Sequence, residues 1–268
     1  MVHLLNSQFL SLILLSLIVV CLLMWVAWIW ATKINNAGIV DVFWAFNFSI
    51  INIIIWILAG GGNKFRKDLV CGLGILWSLR LGIHLQRRVF SHLREEEGRY
   101  RQLRKEWAER VNTKFFLFFQ AQALSNVILS IPFFIIALDK DPVIRPMEYA
   151  GAFLWLVSIA GEAIADRQLS AFKKGPGSRG LVCMKGLWNY SRHPNYFFQL
   201  MIWIGVFIFA LPGRYGWIAI LSPLSIAYLL FKVTGIPLTE EQSVRSKGEA
   251  YREYQRTTHS FIPWFKKS

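Results

Sequence analysis

Between residues 173 and 197 the chain gathers side chains suited to holding a phosphate-bearing ligand. Lys173-Lys174-Gly175-Pro176-Gly177-Ser178-Arg179-Gly180 is followed by Gly186-Leu187-Trp188-Asn189-Tyr190-Ser191-Arg192-His193-Pro194-Asn195-Tyr196-Phe197. Glycines let a backbone approach a ligand closely, cations neutralise phosphates, and amides and aromatic rings hold and stack a nucleotide base. Lys173, Lys174, Arg179 and Arg192 therefore read as contacts of a phosphate-bearing cofactor.

A second group of reactive side chains interrupts apolar sequence. Asp41, with Trp44 and Asn47, lies in Gly38-Ile39-Val40-Asp41-Val42-Phe43-Trp44, either as an interfacial acid paired with an arginine or as part of a site. Arg80, His84 and Arg87 or Arg88 share one stripe of a helix at spacings of three and four. Charge at membrane depth is costly. The stripe must face a polar cavity or the bundle interior, or form a network with Asp41 and Glu95-Glu96-Glu97. His84 is the one histidine inside an apolar run, and an imidazole is suited to proton donation near neutral pH. Gln120, Gln122 and Asn126 need hydrogen-bond partners, which interhelical packing supplies as readily as a substrate, so they are left out of the expected site. Glu162 and Asp166, at i and i+4, bind a ribose, an amide or a cation, or pair with Lys173 and Lys174. Tyr251 and Tyr254 share a face of a C-terminal amphipathic helix, where they cover a ligand or pack on the membrane surface. Phe261-Ile262-Pro263-Trp264 reads as an interfacial anchor.

The elements that position these residues are membrane helices. The 268 residues are 54% hydrophobic and 17% charged, against about 45–50% and about 25% in a soluble domain. Seven stretches approach the ~20 apolar residues of a membrane span: 9–30, 38–60, 68–90, 115–138, 147–165, 196–211 and 215–233. The third, with its basic residues, and the short sixth are the weakest. The expected fold is all-α, one membrane-embedded domain over residues 1–268 with about seven transmembrane helices, cofactor-binding loops and a C-terminal segment. With no basic region ahead of it, the first stretch is expected to remain in the mature protein as a span.

The net charge of +14 suits nucleic acid on a soluble chain. Here it sorts by loop. With the N-terminus outside, 21 of the 30 Lys and Arg fall on the cytoplasmic side, 6 opposite and 3 in the third span. Positive residues stay inside, so the C-terminus and the large polar loops are expected in the cytoplasm and no nucleic-acid partner is expected. The three cysteines are too scattered for a disulfide framework or zinc site. No P-loop, GxGxxG, HExxH or GxSxG pattern occurs, and no metal is expected.

The 186–196 motif, the Asp41–Trp44 segment, Gly98-Arg99-Tyr100 with Trp107, and Tyr251-Arg252-Glu253-Tyr254 through Trp264 together resemble the steroid 5α-reductase family, in particular its bacterial branch. The resemblance spans nearly the whole chain. It implies a seven-helix fold in the bacterial inner membrane and NADPH-dependent reduction of a carbon–carbon double bond conjugated to a ketone. Asn195 then matches the residue holding the nicotinamide end, Asp166 and Lys173 match contacts of the adenosine and phosphate portions, and Trp44 matches a tryptophan lining the cavity. Arg192, His193, Tyr196 and Tyr254 complete the expected cofactor set.

Three positions depart from the family. Leu85 replaces the catalytic tyrosine that follows the histidine matched by His84, Asn47 or Phe48 stands near the second-span glutamate, and Gln199 replaces a glutamate after the asparagine motif. His84, supported by Asp41 or Tyr100, is therefore the expected proton donor, and the substrate is a steroid-like or other hydrophobic lipid taken from the bilayer. Arg-His-Pro-x-Tyr, with Glu240-Glu241, Gly248, Tyr251 and Tyr254, is also similar to isoprenylcysteine carboxyl methyltransferases, which implies S-adenosylmethionine as the alternative cofactor. A transporter or scaffold is the non-enzymatic alternative.

Overall fold

A computed structural model describes residues 7–178, 180–233 and 235–266. Arg179, expected at the cofactor, and Lys267, counted among the cytoplasmic charges, lie outside the described residues. The helices are α1 (Ser7–Ile34), α2 (Ile39–Leu58), α3 (Lys64–Phe90), α4 (Gly98–Glu106), α5 (Val111–Leu129), α6 (Ile131–Ala137), α7 (Pro146–Lys174), α8 (Pro194–Ala210), α9 (Leu221–Tyr228), α10 (Ile236–Lys247) and α11 (Glu249–Thr257). Among the described residues the extended pairing is a single parallel bridge, Ser191 to His259.

Six helical runs among the described residues are long and apolar enough to cross a membrane: α1, α2, α3, Ala108–Ala137, α7 and Gly216–Lys247. The chain is an all-α, multi-pass membrane protein. The third stretch, despite its basic residues, is one continuous helix of 27 residues. The sixth is α8, whose 17 residues span roughly 25 Å at 1.5 Å per residue, short of the ~30 Å hydrocarbon core.

The chain divides into two compact units, residues 1–145 with 210–222, and residues 146–209 with 223–268. In the first, α3 meets α2 along Gly74, Ser78 and Gly82, four residues apart. Ser49 Oγ donates to Ser78 Oγ (2.7 Å), whose hydroxyl donates to the Ala45 carbonyl (2.6 Å). A Cβ on Gly82 would stand 2.6 Å from the Phe46 ring, and one on Gly74 would stand 2.7 Å from the Asn52 amide. Lipid supplies no hydrophobic drive between helices, so small residues that allow close contact and hydrogen-bonded hydroxyls hold such pairs together. Asn126 on α5 donates to the Trp44 carbonyl (2.9 Å) and accepts from Asn47 (3.1 Å), the interhelical role its sequence position suggested.

Asn63 caps α3 by accepting from the Arg66 amide at 3.1 Å. Arg66 is itself buried and donates to the carbonyls of Asp141 (2.7 Å) and Val143 (2.8 Å), so one guanidinium holds the loop ahead of α7.

In the second unit, α7 and α8 touch backbone to backbone: a Cβ on Gly151 would lie 2.4 Å from the Phe209 nitrogen, and one on Gly205 would lie 2.9 Å from the Trp155 nitrogen. Helix α7 runs to Lys174 rather than ending near Ala165 as the apolar pattern suggested, and Glu162 and Asp166 are buried inside it. The last apolar stretch ends in a π turn over Leu229–Val233, and Gly248, at φ 58° and ψ −131°, separates the expected single C-terminal helix into α10 and α11. A side chain at Gly248 would be strained in that conformation.

Replacing Arg66 by Met removes the guanidinium donor of the Val143 carbonyl and one of the two side-chain donors of the Asp141 carbonyl, which Asn63 Nδ2 still reaches at 3.2 Å. Arg66→Met is expected to destabilise the protein by roughly 1–3 kcal/mol, read as a lowered thermal transition of the detergent-solubilised protein.

Candidate functional site

The Arg-His motif of the second unit closes on a single carboxylate. Arg192, almost completely buried, donates from Nε to Glu240 Oε1 at 2.6 Å, and His193 Nε2 lies 3.1 Å from the same oxygen. Gln255 donates to Glu240 Oε2 at 2.8 Å. Arg192 Nη1 donates to the carbonyls of Gln255 (3.0 Å) and Thr258 (2.6 Å). Burying an arginine is tolerable only with this degree of pairing. The surrounding backbone does the same work: Arg192 N donates to the His259 carbonyl (2.9 Å), Trp264 N to the Tyr190 carbonyl (3.1 Å) and Ser191 Oγ to the Phe261 carbonyl (2.8 Å).

Tyr254 is buried with its hydroxyl donating to the Trp188 carbonyl and reaching the Ser191 carbonyl at 3.1 Å. Burial drives its pKa far above the ordinary phenol value. Tyr251 packs on it at 5.8 Å between ring centroids, and burial, then the Glu240 charge, pushes its phenol up to about 12. The tyrosine pair thus points into the motif loop and not out onto a membrane surface.

Asn195 and Asp166 lie on the other side of Pro194. Asn195 Nδ2 donates to Asp166 Oδ1 at 3.2 Å, while its side-chain oxygen accepts from the Tyr196 amide at 3.0 Å. The Tyr196 ring stacks on His193 with 5.3 Å between centroids and an interplanar angle of 4°, and its hydroxyl is 3.2 Å from that of Thr239. One turn along α7 from Asp166, Glu162 Oε1 accepts from the Gln199 amide at 2.6 Å, and Gln199 accepts from the Trp203 indole at 3.3 Å. A glutamate at 199 would set two carboxylates against each other there. Lys173 and Lys174 are exposed at the end of α7, and Lys173 lies within electrostatic reach of Lys247.

The first unit holds a separate cluster around Asp41. Arg88 Nη2 donates to Asp41 Oδ2 at 3.0 Å, Arg99 donates to the same oxygen, and the buried Tyr100 hydroxyl donates to Oδ1 at 2.7 Å. Arg88 Nε also pairs with Glu97 at 2.9 Å. Burial above all pushes the Tyr100 phenol well above its usual pKa. The network of Asp41 with the third-helix stripe and the glutamate run thus exists through Arg88. His84 sits one turn before Arg88 on α3, half-buried. Trp44 is half-buried, with its indole donating to Ser125 Oγ at 3.0 Å.

The structure therefore brings together Asp41 with Tyr100, Asp166 with Asn195, and Arg192 and His193 with Tyr254 and the C-terminal segment. Glu240 was visible only as half of an acidic pair, and Thr239 and Gln255 carried no signal. Their roles come from the turn at Leu229–Val233 and the break at Gly248.

Glu240→Gln is expected to cost roughly 3 kcal/mol, because it leaves Arg192 buried without its anion, and to open residues 249–266 to protease. An Arg192→Met, Glu240→Met double variant should lose less than the sum of its single variants, with thermal unfolding as the measurement.

No curated protein and no solved structure matches the chain. The family described as Protein of unknown function (DUF1295) matches residues 27–258, which include both clusters. The chain belongs to that family.

Proposed function

We propose that the protein is an NADPH-dependent reductase of a carbon–carbon double bond conjugated to a ketone, acting on a steroid-like or other hydrophobic lipid drawn from the bilayer. The observation that carries this reading is the pairing of Asn195 with Asp166 on α7, the helix whose end, about two turns further on, carries the exposed Lys173 and Lys174. A carboxylate and an amide at 3.2 Å suit a carboxamide or ribose hydroxyls, and Lys173 and Lys174 suit phosphates. That donor set fits a phosphorylated dinucleotide, and the 186–196 motif and its surroundings resemble the steroid 5α-reductases.

When bound, the cofactor would supply a hydride to the β-carbon of the enone. Asn195 orients the carboxamide end, Asp166 fixes Asn195 and accepts from hydroxyls, and Lys173 and Lys174 neutralise phosphate. Arg192, His193 and Tyr254 act indirectly: they fasten the C-terminal segment to the loop that carries Asn195. His84 donates the proton to the ketone oxygen, and Asp41 and Tyr100 support it by ordering the polar residues of the first unit.

A methyltransferase using S-adenosylmethionine is the second reading. It is favoured by the closure of Arg192 and His193 onto Glu240, residues its resemblance assigns to the methyl donor.

Thermal stabilisation of the purified protein separates the two. NADPH is expected to raise the transition, and a rise with S-adenosylmethionine alone overturns the reductase reading. His84→Gln is expected to abolish enone turnover, measured as NADPH oxidation, while the NADPH-induced thermal shift persists. Unchanged turnover in that variant removes His84 as the donor.

A further inference from the structure

The first unit carries a cavity of about 250 Å³ outside the Asp166–Asn195 cluster. It is too small for a dinucleotide or a sterol, since pockets for drug-sized ligands run from about 300 to 1,000 Å³. Its lining carries both signs of charge: Arg88 and Arg101 against Glu95, Glu96 and Glu97, with the His92 imidazole among them. The floor is rigid. Glu96, buried, accepts from the Ala37 amide (2.8 Å) and takes a two-pronged contact from Arg104 (2.9 and 2.8 Å), while Asn36 donates to the Leu93 carbonyl (3.0 Å) and accepts from the Gly38 amide (2.9 Å). Arg101, Glu95 and His92 are exposed at the rim.

Its position along the helices is marked independently. Exposed Leu22, Val26 and Trp30 form a stripe on α1 at intervals of four, and Leu79, Ile83 and Phe90 are exposed on α3. The two surfaces meet where the Trp30 and Phe90 rings touch, 5.9 Å apart, with Phe43 against Trp30 at 6.2 Å. Aromatic clusters at helix ends sit at the level of lipid headgroups, and His92 follows Phe90 by two residues. An apolar track for acyl chains thus ends at a small polar cavity of mixed charge.

We propose that this cavity binds the headgroup of a zwitterionic phospholipid of the phosphoethanolamine type. The phosphate pairs with Arg101 and the ammonium with Glu95, the wall behind them being the Arg88–Glu97 ion pair at 2.9 Å, and the chains follow the exposed faces of α1 and α3. A purely anionic headgroup meets the glutamates without a cation to offer them. The proposal is independent of the reductase reading, and its test uses no turnover.

Binding of phosphatidylethanolamine, phosphatidylglycerol and water-soluble phosphoethanolamine to the detergent-solubilised protein is measured by native mass spectrometry. Phosphatidylethanolamine is expected to bind at least tenfold more tightly than phosphatidylglycerol. Glu95→Gln should erase that preference, Arg101→Gln should weaken both lipids about tenfold, and Arg214→Gln, remote from the cavity lining, should change neither. Equal binding of the two lipids by the unsubstituted protein, or a preference that survives Glu95→Gln, overturns the proposal. Soluble phosphoethanolamine binding as tightly as the lipid also overturns it, by making the ligand a soluble zwitterion.

Discussion

A guanidinium removed from water must find its acceptors inside the protein, and most of the second unit's loop architecture follows from how Arg192 does so. Its donors divide between the Glu240 carboxylate and the carbonyls of Gln255 and Thr258, which draws α10, α11 and the chain beyond them onto one residue. Glu240 is in turn fully engaged, with His193 and Gln255 on its two oxygens. Losing any member leaves a charge with fewer partners in a poorly solvated place, so the group behaves as a unit. Pro194 follows at the start of α8, where a missing amide hydrogen costs nothing. Asn195 therefore leaves a fixed point and meets Asp166 on α7.

The same problem of polar groups in an apolar setting is solved differently in the first unit. Helix α3 is the least apolar of the long helices, and it does not rely on lipid-facing greasiness for its place. Gly74, Ser78 and Gly82 let it lie close to α2, and hydroxyl contacts at 2.6 and 2.7 Å lock the register. Its charged end is neutralised from outside the helix, since Arg88 reaches Asp41 on α2 and Glu97 beyond Ser91. At the opposite end Arg66 is directed to backbone carbonyls. Each arginine has acceptors whose loss would be felt locally.

Much of this was legible in sequence. Apolar length located the long helices, and the spacing of Arg80, His84 and Arg88 marked a stripe that reaches Asp41 through Arg88. Three features were not legible for identifiable reasons. The hydropathy of α7 falls where Glu162 and Asp166 enter it, so its apolar pattern ends early, although Gln199 and Asn195 supply partners that keep these acids buried within the helix. The split between α10 and α11 depends on one backbone conformation at Gly248, and a lone glycine does not announce its φ. The Arg192–Glu240 pair joins residues 48 apart, and no local period connects them. The motif suggests a cofactor contact for Arg192 and Tyr254, while their long-range hydrogen bonds to the Thr258 and Trp188 carbonyls, which fasten the C-terminal segment, have no local sequence signature.

The Asp41 cluster also constrains which group can act as an acid in the proposed reaction. With Arg88 and Arg99 on its carboxylate, Asp41 is the acceptor toward Tyr100, and the phenol is the donor. Burial keeps that phenol protonated far beyond neutral pH. A group held in one protonation state and tied to a carboxylate orders its surroundings well but gives up a proton reluctantly, because effective acid catalysis wants a pKa near the working pH. An imidazole starts near that range. In the proposed reaction, with Leu85 and not a tyrosine following it on α3, the donor is therefore His84, and the Tyr100–Asp41 pair is kept for an ordering role.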